Sequence, residues 1–230
     1  MSNGIQIRQN EENSISMLAA QKQLYNEAKY IENIVLIFSV ILPFLCACIQ
    51  AFVKNNTMLN TIGYVLSFVS MLVGMSFGSY IKKKRKLAAF IQQKFDTYIY
   101  QMQWSKSLFG KNKNVNDVIA EKSIKYLRKQ GARETLINWY PQLVDSFPIK
   151  KGILICQREN FKWDVGLRKR YKLVSTILIM VLSIIILGMG IIQDEKISIL
   201  FRRMAFILPL YQWLYGVINA FDADITPYNH

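Results

Sequence analysis

The sequence predicts an all-α membrane protein with four transmembrane helices and a basic, helical cytosolic insert between the second and the third. Hydrophobic residues make up 52% of the 230 positions and charged residues only 19%. That balance is too apolar for a disordered chain and too poor in charge for an ordinary soluble one. The apolar residues gather in four long runs, and the excess of Lys and Arg lies between the second and third runs. These two arrangements predict the fold class.

The four apolar runs occupy residues 34–53, 59–81, 173–192 and 197–218, and the first three contain no charged residue. About 20 apolar residues suffice to cross the roughly 30 Å hydrocarbon core of a bilayer. Because the residues before the first run are polar, no cleaved signal peptide is expected. The fourth run contains Arg202 and Arg203, so a re-entrant or interfacial segment is its alternative. These two arginines either reach to the membrane surface or line and lock an aqueous pore.

Charge sets the predicted orientation. Residues 82–172 contain 22 of the 29 Lys and Arg but only seven of the 15 acidic residues. Because basic flanks remain cytoplasmic, both termini and the insert are expected on the cytosolic side of the membrane. The predicted segments are a cytosolic N-terminal helix (residues 1–33), a transmembrane hairpin (34–81), a basic cytosolic helical region (82–172), a second transmembrane hairpin (173–218) and a short cytosolic tail (219–230). The basic residues expected at the membrane surface are Lys82, Lys83, Lys84, Arg85, Lys86, Lys169 and Arg170.

Inside the cytosolic parts the sequence predicts further helices. Ser14 or Asn13 is expected to start a helix that reaches Tyr30. No Gly or Pro interrupts residues 81–104, so the second run is expected to continue as a helix with one apolar stripe. The members of that stripe are Leu87, Ile91, Phe95, Tyr98 and Met102. Asn116 is expected to cap a helix that ends at Gly131, and Asn160 to cap a helix that enters the third run.

Small residues recur at every fourth position of the second run, at Ser70, Gly74 and Gly78. Such a ridge permits close helix contact, either within one bundle or between protomers. We therefore interpret these three residues as candidates for helix packing.

Polar and aromatic residues are densest just before the third run. Arg158 has the forked donors that suit a phosphate, Trp163 has a face for a base, and the amides of Gln157 and Asn160 suit base edges. The alternative is a structural role. In that case Asn160 caps a helix, Asp164 lies in the first turn, where an acidic residue is stabilising, and the arginines bind lipid phosphates. No nucleotide-binding or hydrolase loop motif occurs, and the chain has a single His, at its last position, and three Cys. We therefore expect no enzymatic activity, no cofactor and no metal site.

Three sequence regions resemble a known family. They are Ile7-Arg8-Gln9-Asn10 with the following residues 18–21 and 25–29, Trp139-Tyr140-Pro141, and Cys156-Gln157-Arg158-Glu159-Asn160 with residues 163–164 and 167–168. Together with the order of two runs, a long basic insert and two more runs, they resemble the SMODS-associating four-transmembrane effectors, the pore formers of bacterial antiphage systems. The resemblance extends over essentially the full chain. Family members are expected to continue past the fourth run, which would make this chain a truncated form or a variant.

The resemblance implies a function. A partner nucleotidyltransferase would make a cyclic nucleotide on phage infection, and the effector would sense it, oligomerise and permeabilise the inner membrane, in abortive infection. Several copies are expected because four thin helices leave no water path, and DNA is not an expected partner. The residues assigned to ligand binding under this interpretation are Gln157, Arg158, Asn160, Trp163, Asp164, Arg168 and Trp139. The alternatives are a membrane scaffold that binds anionic lipid and a small channel or transporter subunit.

Overall fold

The computed structural model describes residues 2–42, 45–46, 49, 57–105, 114–192 and 215, and over these residues the protein is all-α. The α-helices are α1 (Ile5–Gln9), α2 (Glu12–Leu36), α3 (Thr57–Ile99), α4 (Val115–Leu127) and α5 (Ile149–Ile192). A π-helical segment, Ile37–Ile41, follows α2, and a 3-10 turn, Gln142–Ser146, precedes α5. The predicted all-α class is confirmed. Within the described ranges, no helix combines the length and the apolar character needed to cross a bilayer.

The chain divides into two compact units. Unit 1 comprises Met1–Ile31 and Ser79–Phe161, and unit 2 comprises Glu32–Gly78 and Lys162–His230. Helices α2, α3 and α5 each contain residues of both units. The five segments predicted from the sequence are defined by a membrane, so their boundaries remain a prediction.

Three predicted helix starts are wrong. Helix α2 begins at Glu12, an acidic residue that suits the positive end of a helix, so Asn13 and Ser14 lie inside its first turn. Helix α4 begins at Val115 with Asn114 as its N-cap residue, so Asn116 lies inside the first turn, and the helix ends at Leu127. Helix α5 begins directly after Pro148, and Asn160 therefore lies well inside it. Residues 149–159 form a helix because their apolar side chains pack on unit 1, a tertiary effect that a short apolar run does not reveal.

The predicted continuation of the second run is confirmed, because α3 runs without a break to Ile99. Its buried positions in unit 1 include Ile91, Phe95 and Ile99, which recur every four residues. The predicted stripe is wrong at its end, since Tyr98 and Met102 are 40% and 55% exposed. The helix ends at Ile99 and the chain turns through a left-handed residue, so the helical period no longer applies to residue 102.

The hydrophobic core of unit 1 joins all five helices. Its fully buried large side chains are Ile5, Ile15, Met17, Leu18, Leu24, Ile91, Phe95, Ile99, Leu136 and Tyr140. At the start of α5, Gly152 is buried so closely that a Cβ there would lie 2.7 Å from Nδ2 of Asn3. This contact brings the N-terminus of the chain onto α5 within unit 1.

Candidate functional site

The first ten residues are held against residues 138–147 by hydrogen bonds. Gln9 is fully buried, and its amide pairs with the main chain of Tyr140: Nε2 donates to the Tyr140 carbonyl (3.2 Å), and the Tyr140 N–H donates to Oε1 (2.8 Å). The Asn138 N–H donates to Oδ1 of Asn10 (2.9 Å), and Asn138 has the left-handed φ of 55° that asparagine tolerates. These contacts determine where the Tyr140 side chain lies.

Tyr140 is the centre of a buried polar chain that links α3 and α5. Its hydroxyl donates to Oδ1 of Asp96 (2.8 Å) and accepts a hydrogen bond from Nδ2 of Asn160 (2.6 Å). Burial raises the pKa of the Asp96 carboxyl to about 6, although the hydrogen bond from Tyr140 acts in the opposite direction. Burial and the charge of Asp96 also raise the pKa of Tyr140. The Tyr140 hydroxyl therefore remains a neutral donor, and Asp96 changes its charge near neutral pH.

Two further buried groups lie beside this chain. The Tyr100 hydroxyl is buried and forms no hydrogen bond of standard geometry with the described residues, and burial raises the pKa of this hydroxyl. Cys156 is fully buried, and burial raises the pKa of its thiol to about 11. Since the thiolate is the reactive form of cysteine, Cys156 acts here as a packing residue rather than as a nucleophile.

The residues that were assigned to ligand binding have different surroundings. Gln157 and Arg158 are exposed on α5, whereas Asn160 is half-buried and committed to Tyr140. Trp139 is half-buried, with the Lys22 ammonium 5.1 Å from the centre of its ring. The side chains of Trp163, Asp164 and Arg168 lie outside the described part of the chain. Their role in binding a ligand stays a prediction.

The basic residues after the second apolar run differ in their surroundings. Lys82, Lys83, Arg85 and Lys86 are exposed, as are Lys169 and Arg170 on α5. Lys84 instead forms an ion pair with Oε2 of Glu27 on α2. Arg202 and Arg203 lie outside the described residues.

Glu27 collects three lysines within unit 1. Its Oε2 contacts Lys84, and its Oε1 lies 3.2 Å from the ammonium of Lys122 and 3.3 Å from that of Lys125. Burial alone would raise the pKa of Glu27, but hydrogen bonds from Lys84, Gln23 and Lys122 outweigh it and lower the pKa to about 2. This carboxylate therefore ties α2 to α3 and α4.

Only one part of the small-residue ridge has a described contact. The Ser70 hydroxyl lies 2.7 Å from the Leu66 carbonyl of its own helix and 3.1 Å from the Phe38 carbonyl, so it joins two segments of unit 2. Gly78 is exposed, and a Cβ there would meet nothing within 4 Å. Gly74 belongs to α3. Packing between protomers through this ridge stays a prediction.

Unit 1 also contains a cleft that the sequence did not indicate. It lies among α2, α3 and α4 and has a volume of about 480 Å³. Its lining residues are Asn13, Ser16, Lys94, Asn116, Ile119, Ala120 and Ser123. The Lys94 ammonium donates to Oδ1 of Asn116 across the cleft (2.6 Å). None of the residues predicted to bind a ligand lines this cleft. Its polar lining comes from three separate helices and forms no motif along the chain, so the cleft could not be predicted from the sequence.

Comparison with known proteins connects the chain to one family. Residues 3–226 match the SMODS-associating 4TM effector domain. The chain belongs to this family. It is also 26% identical over 217 residues to a Bacillus cereus (strain VD146) protein named probable CBASS effector molecule, an alignment that covers 87% of this chain and 69% of the relative. No solved structure matches the chain significantly.

In this SMODS-associating 4TM effector domain, one residue from each of the three regions that carry the resemblance belongs to a single hydrogen-bonded set inside unit 1. Gln9 from the first region binds the main chain of Tyr140 from the second, and Tyr140 receives the hydrogen bond of Asn160 from the third. The match of residues 3–226 confirms the family resemblance, and Gln9, Tyr140 and Asn160 have a structural role in unit 1. A binding role for these residues needs evidence beyond their place in the motif.

Proposed function

We propose that this chain is a non-enzymatic antiphage effector that senses a cyclic-nucleotide messenger, oligomerises and permeabilises the bacterial inner membrane. The observation that carries the proposal is the match of residues 3–226 to the SMODS-associating 4TM effector domain. The similar Bacillus cereus protein is named as a probable CBASS effector, which supports a place in antiphage signalling. The messenger would then come from a partner nucleotidyltransferase.

Membrane insertion is supported by the apolar runs and by the surface of unit 2. In the full sequence, the run at residues 173–192 contains no charged residue over 20 positions. Within unit 2, large apolar side chains are exposed, among them Phe68 at 62%, Val174 at 63% and Ile184 at 68%. Soluble monomers rarely expose so many large apolar groups, and lipid is a natural solvent for them. The exposed bases Lys82, Lys83, Lys86, Lys169 and Arg170 suit the cytosolic membrane surface.

Helix continuity supports the gating step. Helices α2, α3 and α5 each form part of unit 1 and continue as helix into residues of unit 2. A ligand that alters the packing of these helices in unit 1 therefore acts on elements that also build unit 2. The ligand shifts the equilibrium only by its differential affinity for the closed and open states.

The test is messenger-dependent leakage. The full chain is reconstituted in liposomes that contain a self-quenched dye. The fraction of chains whose basic insert faces the outer solution is measured first. Cyclic di- and trinucleotides are then added to the outer solution. We expect dye release with at least one cyclic nucleotide and none with the matching linear nucleotides. Release without any nucleotide, or no release with protein that is demonstrably inserted, would contradict the proposal.

The second candidate is a scaffold that binds anionic lipid, and the exposed lysines after the second apolar run favour it. Each basic residue near an anionic surface contributes about 1 kcal/mol, and this contribution weakens with salt. In the same liposome assay, a scaffold would bind vesicles that contain phosphatidylglycerol in a strongly salt-dependent way and would release no dye. A small channel or transporter subunit would release dye irrespective of nucleotide.

A further inference from the structure

We propose that the cleft among α2, α3 and α4 is the messenger site, and that it binds a phosphodiester group of a nucleotide through Lys94 and the first turn of α4. The proposal rests on the proposed function for the identity of the ligand, but its argument comes from the charge, the helix geometry and the shape of the cleft. It places the site away from Gln157 and Arg158.

The first argument is charge. Lys94 donates to the neutral amide oxygen of Asn116, and among the described residues no carboxylate pairs with it. By contrast, Lys84 and Lys122 on the same two helices each form an ion pair with Glu27. The described lining of the cleft contains no acidic side chain. The ammonium of Lys94 therefore presents an uncompensated positive charge to the cleft, where an anion gains a charge-assisted hydrogen bond.

The second argument is the direction of α4. This helix has 13 residues and begins at Val115, and Asn116 in its first turn lines the cleft. The first N–H groups of a helix have no acceptor within the helix itself, and the aligned peptide dipoles place partial positive charge there. Phosphate groups bind at such helix starts. Asp117, which is also in this turn, is exposed and does not line the cleft. Lys94 and the start of α4 therefore act on the same anion.

The third argument is the shape and polarity of the remaining wall. A volume of about 480 Å³ is within the usual range for a small-molecule site. Ile119 and Ala120 form an apolar surface on α4, suited to a sugar or the face of a base. Asn13 and Ser16 on α2 bring an amide and a hydroxyl, which can donate to and accept from a base edge. The ligand would then join three helices that contact one another in unit 1.

The direct test is binding of fluorescein-labelled cyclic GMP–AMP to the full chain in detergent micelles, with unlabelled cyclic di- and trinucleotides as competitors. Lys94→Gln should weaken binding roughly 10- to 100-fold, the usual effect of losing a charge-assisted hydrogen bond. Ala120→Trp, which fills the cleft from an exposed helix position, should abolish binding. Lys150→Gln removes the same charge from an exposed position of α5 and should leave affinity unchanged. Unchanged melting temperatures confirm that each variant is folded.

The rival site is tested in parallel with Arg158→Gln. If this variant loses affinity and Lys94→Gln does not, the cleft assignment is wrong while the proposed function stands. If no cyclic nucleotide binds and none causes leakage of reconstituted wild type, both proposals fail. If wild type leaks on addition of messenger and Lys94→Gln leaks equally at every concentration, only the cleft proposal fails.

Phospholipid headgroups also contain a phosphodiester, so one arm of the experiment separates the two sources. Binding to phosphatidylcholine vesicles with and without phosphatidylglycerol is measured for wild type and Lys94→Gln. We expect equal lipid binding of both proteins, since the site recognises a soluble nucleotide. Loss of phosphatidylglycerol binding in Lys94→Gln with unchanged nucleotide affinity would assign the cleft to lipid and overturn the proposal.

Discussion

Replacing Asp96 with Asn should stabilise the protein at neutral pH, because the carboxylate is buried and ionised at a cost. Asp96 accepts a hydrogen bond from the Tyr140 hydroxyl at 2.8 Å, and an amide oxygen at the same position can accept the same, somewhat weaker, bond. Burial raises the pKa of Asp96 from an ordinary value of 3.8 to about 6. A difference of about 2 pKa units corresponds to about 3 kcal/mol, which is an upper bound for the gain from Asp96→Asn.

The direction of the pH dependence follows from when the folded and the unfolded chain bind a proton at Asp96. Below pH 4 both the folded and the unfolded chain hold the proton, so the raised pKa of Asp96 has little effect on stability. Between pH 4 and pH 6 the unfolded chain releases the proton first, so wild type loses stability as the pH rises. Above about pH 6 the loss is complete. The advantage of Asp96→Asn should therefore grow from near zero at pH 4 to its full value at pH 7.

Thermal unfolding of the full chain in micelles, followed by tryptophan fluorescence between pH 4 and pH 8, measures this advantage. For a chain of this length, about 3 kcal/mol corresponds to a rise in Tm of roughly 6–12 °C. Glu134→Gln, which removes an acidic side chain from an exposed position of unit 1 outside any helix, is the control and should leave Tm close to that of wild type. A Tm difference between Asp96→Asn and wild type that is the same at pH 4 and pH 8 would refute the reasoning.

Two further substitutions test contacts within unit 1. Glu27→Gln should cost about 2–3 kcal/mol at pH 7, because the ion pairs that lower the pKa of this carboxyl from 4.5 to about 2 are lost. That contribution is present above pH 4.5 and disappears as the pH falls through 2. The difference in stability between Glu27→Gln and wild type, measured by denaturation, should therefore be smaller at pH 3 than at pH 7, with the exposed Glu134→Gln as control. Gly152→Ala should destabilise by about 1–3 kcal/mol, because its Cβ would displace the amide of Asn3. In the same helix Gly166→Ala, where a Cβ meets nothing within 4 Å, should instead stabilise by up to about 1 kcal/mol, and equal effects of the two substitutions would contradict the packing argument.

Local sequence patterns predicted a helix correctly where the helix does not depend on contacts with residues far away in the chain. The continuation of α3 to Ile99 follows from an uninterrupted helical pattern, and Ile91 and Phe95 are buried as the stripe requires. The starts of α4 and α5 were misplaced, because a capping residue such as Asn160 has the same local preference whether it caps a helix or binds a side chain elsewhere. The family was also predicted correctly, since its regions are distinctive along the chain.

The sequence by itself therefore determined a helical chain with long apolar runs and a concentrated positive charge, since periodicity, composition and charge are properties of neighbouring residues. Tertiary packing decided which polar residues are engaged and which remain available. It engaged Asn160 with Tyr140, paired Lys84 with Glu27, and left Lys94 facing a cleft with the neutral amide of Asn116 as its partner among the described residues. These contacts join residues that are far apart in the chain. Such residues come together because the whole hydrophobic core of unit 1 packs, which no local sequence pattern reveals.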